Sequence, residues 1–153
     1  MSLDGEIALV TGASRGIGAA IAQALQEAGA SVIGTATSQA GAEAIAARSP
    51  DMRGMVLDVA DSACVEALFS RLGESGSMPG IVVNNAGITR DGLILRMTAD
   101  QWGDVLRVNL TGAFHVCKAA SRQLLKQRSG SIVNVSSVVG VVGNAGQANY
   151  AAA

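Results

Sequence analysis

Five short apolar runs, at residues 7–10, 31–34, 54–57, 80–83 and 131–135, recur along the chain, and none alternates apolar with polar residues. A strand with one wet face alternates. An unbroken apolar run of this length suits a strand covered on both faces, as in a parallel sheet lying between helical layers. The segments between the runs carry helical signals. Ile17, Ile21 and Leu25 share one face of a helix expected over 17–28, with Gly29 as its stop. A shorter helix is expected over 40–48 and is closed by Pro50. Asp61 is placed to cap a third, with Val65, Leu68 and Leu72 on one face. Thr98 opens a fourth, with Asp100 and Gln101 in its first turn, and 109–127 reads as one long helix. Strand–helix alternation of this kind predicts a single α/β domain over 1–153, a doubly wound parallel sheet with helices on both faces and right-handed crossovers.

Composition removes several function classes. With 49% apolar and 15% charged residues the chain is globular, and 153 residues suffice for one substantial core. A net charge of -1 without a basic block leaves no electrostatic footprint for nucleic acid. The four cations Lys118, Arg122, Lys126 and Arg128 read as a solvated helix face. Cys64 and Cys117 have no ligand or redox spacing, and with His115 as the single histidine no metal site is expected. His115 reads as a packed side chain, and Met97 and Trp102 as core or interface residues. The acidic N-terminus lacks a signal-peptide pattern. Residues 129–153 carry no charge, but Ser, Gly and Asn interrupt them too often for a membrane span. The chain is expected to be soluble and cytoplasmic.

The first strand candidate runs straight into Thr11-Gly12-Ala13-Ser14-Arg15-Gly16-Ile17-Gly18. Glycines between a strand and a helix let the backbone turn tightly and approach a pyrophosphate, which rests on exposed N–H groups of the helix start. The spacing is Gly-x-x-x-Gly-x-Gly, not the general dinucleotide fingerprint, so its position in the first strand–helix unit carries the reading. Charge then argues for the cofactor. An NAD site commonly has an acid after the second strand, but Gly34-Thr35-Ala36-Thr37-Ser38 contains none. Arg15 in the loop could pair with a 2′-phosphate. NADPH is therefore expected over NADH, with Arg15 and Thr37 as the discriminating residues.

Three features in order, the glycine loop, Asn84-Asn85-Ala86-Gly87, and Ser137 separated by twelve residues from Tyr150, resemble the short-chain dehydrogenase/reductase family. The resemblance spans nearly the whole chain. Thr35 to Ser38, Asn85 to Asp91 and Gly146 to Ala153 look like the branch that reduces 3-oxoacyl-(acyl-carrier-protein) in bacterial type II fatty acid synthesis. The resemblance implies a Rossmann-like fold of seven strands, five of them present here. It implies that Gly12, Ser14, Arg15, Gly16, Ile17 and Gly18 hold NADP, with Asp58 and Val59 at the adenine and Asn85, Ala86 and Gly87 lining the cofactor. By the same resemblance Asn109 sits at a break in the long helix and helps hold a proton-relay water. Ser137 hydrogen-bonds the substrate carbonyl, Tyr150 gives it a proton and also touches the cofactor, and Arg128 docks an acidic acyl carrier protein. A homotetramer is also implied, with helices of residues 92–128 pairing across one interface.

The chemistry agrees with those roles. Hydride arriving at a ketone places negative charge on its oxygen, so a hydroxyl donor aimed there lowers the barrier. A phenol is too weak an acid for efficient proton transfer at neutral pH unless something positive lowers its pKa. In the family that is a lysine four residues after the tyrosine. Position 154 would hold it, so the sequence is read as the front part of a longer chain. Taken singly, Ser137 suits a strand-end cap, Tyr150 a partly buried structural residue, Asn84 and Asn85 a turn, Asn109 an N-cap and Arg128 a helix C-terminus. Two rival functions stay open: a reductase of acyl-CoA or another small ketone, and a nucleotide-binding module without catalysis.

Overall fold

In the computed structural model, which describes residues 2–153, the five apolar runs become five parallel strands in the order β3-β2-β1-β4-β5. They are β1 (Ile7–Val10), β2 (Ser31–Ala36), β3 (Met52–Val56), β4 (Ile81–Asn84) and β5 (Ser131–Asn134). Val10 pairs with Gly34 on one side and with Val83 on the other. The chain winds outward from β1 in both directions. The β1/β4 boundary is therefore the point where strand order reverses and where sheets of this kind open a crevice at the strands' carboxyl ends.

Strand side chains alternate between faces, and each face has its own helical cover. Leu9 and Val82 point into a core shared with Val65, Leu68, Phe69 and Leu72 of α3 (Ser62–Glu74) and Val116 and Ala120 of α5 (Gly112–Gln127). Ala8, Val10, Val32 and Val83 join the opposite core with Ala22 of α1 (Gly16–Glu27) and Ile45 of α2 (Gln39–Ala46). Gly54 explains how closely α2 lies on β3. A Cβ there would fall on the Ala42 carbonyl, so only glycine admits the helix at that distance.

The expectation of strands buried on both faces holds for β1, β2 and β4. It fails for β3 and β5, where Arg53, Val56 and Val133 are exposed; among the described residues each of these strands has a neighbour on one side only. β2 also runs two residues further than expected, and β3 begins two residues earlier.

The helix starts expected at Asp61 and Thr98 are capped, and Ser38 adds a further cap. Ser38 caps α2 by accepting from the Gly41 N–H, and Asp61 caps α3 by accepting from Ala63 and Cys64. Thr98 and Gln101 form a reciprocal capping box on α4 (Ala99–Val105). The long helix does not begin at residue 109. α4 passes through a π-helical turn (Leu106–Thr111) directly into α5, so Asn109 lies inside a continuous helical column and is not an N-cap. Met97 is half-buried and Trp102 is 37% exposed, so neither belongs to the core. Two short helices, α6 (Val139–Val142) and α7 (Ala148–Ala151), complete the described chain. No helix among the described residues is long and apolar enough to cross a membrane.

Candidate active site

At the β1/β4 boundary two loops are locked together. Thr11, buried at the end of β1, accepts from the Asn85 and Ala86 N–H groups through Oγ1, each at 3.0 Å. Asn85 returns the contact, donating from Nδ2 to the carbonyls of Thr11 at 2.9 Å and Gly12 at 3.2 Å. Gly18 closes the same junction, since a Cβ on it would meet both the Gly12 carbonyl and the Asn85 amide. Gly12 takes φ +66, a conformation that side chains resist.

This wall ends at the start of α1, which is unlike its neighbours. Ser38, Asp61 and Thr98 cap α2, α3 and α4, but Arg15 at the N-cap of α1 makes no side-chain cap bond. The first-turn N–H groups of α1 are thus left to an outside acceptor, and the helix dipole makes an anion the favoured one. Arg15 and Thr37 are exposed beside this loop. The sole ion pair among the described residues, Arg107 with Asp104, lies elsewhere, so no carboxylate neutralises Arg15. The start of α2 abuts the loop as well: a Cβ on Gly41 would lie 3.6 Å from that of Ser14. Together the glycine cradle, the uncapped helix and the unpaired cation fit the phosphates of a dinucleotide.

The other end of the crevice holds polar groups suited to a substrate. Asn109 grips the loop after β4, its Oδ1 accepting from the Ile88 N–H at 2.8 Å and its Nδ2 donating to the Ile88 carbonyl at 3.0 Å. Single π turns are frequent at functional sites, and this one sits where the resemblance implied a helix break. Ser137 Oγ accepts from the Val139 N–H at 3.2 Å, so it does cap a turn, while its own proton stays free to be donated.

Tyr150 is carried on α7, and the residue that anchors α7 is Asn149, fully buried. Asn149 Nδ2 donates to the carbonyls of Arg90 at 2.9 Å and Gln101 at 3.1 Å, and its Oδ1 accepts from the Tyr150 N–H at 2.8 Å. Gln147 adds a bond to Asp91, and the Gly92 N–H donates to the Gly146 carbonyl. The 85–91 and 146–153 segments are thus hydrogen-bonded partners.

One open cleft of about 640 Å³ joins the two ends and is lined by Ile17, Val59, Asn85, Ala86, Gly87, Asn109, Ser137 and Tyr150. Gly12, Ser14, Arg15, Gly16, Gly18, Thr37 and Asp58 do not line it. The loop residues and Thr37 lie next to its glycine-loop end, and the exposed Asp58 carboxylate accepts from the Ala60 N–H. Arg128 is remote. It ends α5 in a left-handed conformation (φ 52), about 24 Å of helix from the start of α5 at 1.5 Å per residue. Two site-related residues escaped the sequence reading, Asn149 and Arg48, whose guanidinium binds carbonyls of the glycine loop. His115 is half-buried between α5 and the loop after β3, its Nδ1 3.0 Å from the Val59 carbonyl.

A protein-family model described as short chain dehydrogenase matches residues 6–153. The 3-oxoacyl-[acyl-carrier-protein] reductase FabG of Vibrio harveyi is 53% identical over 154 residues, covering 100% of this chain and 63% of that protein. Proteins of the same name from Escherichia coli (strain K12) and Pseudomonas aeruginosa are 49% and 54% identical, again over 100% of this chain. The chain spans 63–64% of the length of these curated relatives.

Proposed function

The chain belongs to the short-chain dehydrogenase family, and from that premise we propose that it reduces the 3-oxo group of an acyl chain carried on acyl carrier protein, using NADPH and giving the 3-hydroxyacyl product. The observation that carries this reading is the cleft itself, in which the glycine-loop wall, Asn109, Ser137 and Tyr150 meet at the reversal point of the sheet. The names of the similar proteins supply the substrate class. The absence of an acid in 34–38 and the unpaired Arg15 favour NADPH over NADH.

Bound NADPH supplies the hydride that adds to the carbonyl carbon. The Tyr150 hydroxyl gives its proton to the carbonyl oxygen, so the ketone becomes a secondary alcohol. The Ser137 hydroxyl donates a hydrogen bond to the same oxygen while charge builds on it. With both side-chain atoms of Asn109 engaged by Ile88, its backbone in the widened π turn is the group that holds a relay water to restore the tyrosine proton. Asn85, Ala86 and Gly87 form the wall against which the cofactor lies, and Asp58 and Val59 form the adenine end. Arg128 docks the acidic carrier. The exposed apolar side chains Leu95, Trp102 and Leu125 support a homotetramer built through this part of the chain, and the cytoplasm is the compartment that suits the substrate.

Turnover of carrier-linked against CoA-linked 3-oxoacyl substrate tests the substrate class, with the carrier-linked form expected to be the better one. Arg128→Glu is expected to lower kcat/KM for the carrier-linked substrate and to spare the CoA thioester. Unchanged carrier-linked turnover would remove the docking role. Equal or better turnover with NADH would remove the NADP assignment.

A further inference from the structure

Arg48 lies just beyond the C-cap of α2, and its side chain reaches back to the glycine loop. Nη1 donates to the Ala13 carbonyl at 2.9 Å and Nη2 to the Ser14 carbonyl at 2.6 Å. A planar trans peptide places the N–H of the following residue opposite its carbonyl. With the Ala13 and Ser14 carbonyls drawn toward the guanidinium, the N–H groups of Ser14 and Arg15 are turned away from it. No backbone carbonyl accepts from either N–H among the described residues. Arg48 also takes part in no ion pair there, so its full charge stands behind the loop. Donation from a cation to a carbonyl polarises the peptide and strengthens its N–H as a donor.

We propose that Arg48 is a positioning residue for the dinucleotide phosphates: it holds the glycine loop with the Ser14 and Arg15 N–H groups presented to the anion and adds a second positive charge to that of Arg15. The proposal rests on the dinucleotide reading of the loop and assigns Arg48 no contact with the reacting atoms. Arginine suits the task because its planar fork meets two carbonyls at once. Lysine could meet one of them as a point charge.

Titration of the protein with NADPH, followed by cofactor fluorescence, tests this with Arg48→Gln and Arg48→Lys. The exposed position of Arg48 leaves the fold intact in both, and thermal unfolding checks that. Loss of charged hydrogen bonds in Arg48→Gln is expected to raise the NADPH Kd about tenfold. Turnover at saturating NADPH stays within about twofold of wild type, because the residue acts only on binding. Arg48→Lys falls between the two. A lowered Tm with an unchanged Kd, or a fall in kcat at unchanged Kd, would overturn the proposal. Wild-type protein that does not bind NADPH would instead overturn the cofactor reading on which it rests.

Discussion

Asn149 is a buried amide with three hydrogen bonds, and its replacement by alanine has a calculable cost. The two donated bonds end on the Arg90 and Gln101 carbonyls, and the accepted one comes from the Tyr150 N–H. At about 1 kcal/mol net per bond the loss is about 3 kcal/mol, more if the carbonyls stay dry and unpaired. For a chain of this size each kcal/mol lowers Tm by roughly 2–4 °C, so Asn149→Ala should melt about 6–12 °C below wild type. Asn149→Asp keeps the shape but sets a carboxylate against two carbonyl oxygens, and should melt lower still. Thermal unfolding followed by circular dichroism reads both. Gln23→Ala, which breaks an exposed bond to Glu27 within α1, serves as a control and should shift Tm by no more than about 2 °C. Asn149→Ala melting within about 2 °C of wild type would show that this amide does not anchor α7.

Further outcomes follow from the same contacts. Gly18→Ala places a methyl group on the Gly12 carbonyl and the Asn85 amide, so stability should fall by about 1–3 kcal/mol and NADPH affinity should fall with it; a variant that binds and melts like wild type would contradict the packing described. At the start of α3, the Cys64 thiol and then the Cys64 and Ala63 N–H groups hold the Asp61 carboxyl below its ordinary value. A lowered folded-state pKa gives stability that is present above the ordinary carboxylate range and lost as pH falls through the folded value. The Tm difference between wild type and Asp61→Asn should therefore shrink in acid, and a difference independent of pH would refute the assignment.

Local signals carried most of the fold. The strands β1, β2 and β4, the helix starts at Asp61 and Thr98, and the glycine loop each depend on a few adjacent residues, and the sequence displays them directly. The misplaced features depend on distant partners. Whether β3 and β5 are covered depends on their place in the strand order, which their own composition does not reveal. Asn109 looked like a helix start because asparagine favours caps. Its actual partner is Ile88, 21 positions earlier in the chain, and the π turn around it leaves no local pattern. Asn149 and Arg48 were missed for the same reason: their partners lie 59, 48, 35 and 34 positions away. The two segments that tie Tyr150 in place, 85–91 and 146–153, were visible only as a pair by resemblance, and the hydrogen bonds now give the physical ground for their pairing.

We propose Tyr150 as the group that gives the proton in a reduction by NADPH. The direct test is the rate of NADPH oxidation with a 3-oxoacyl carrier substrate, measured for wild type and Tyr150→Phe. General acid catalysis of this kind is worth about 100-fold or more, so Tyr150→Phe should fall by at least that factor while its NADPH Kd stays within about threefold of wild type. A Tyr150→Phe protein that keeps more than about a tenth of the wild-type rate would contradict the account.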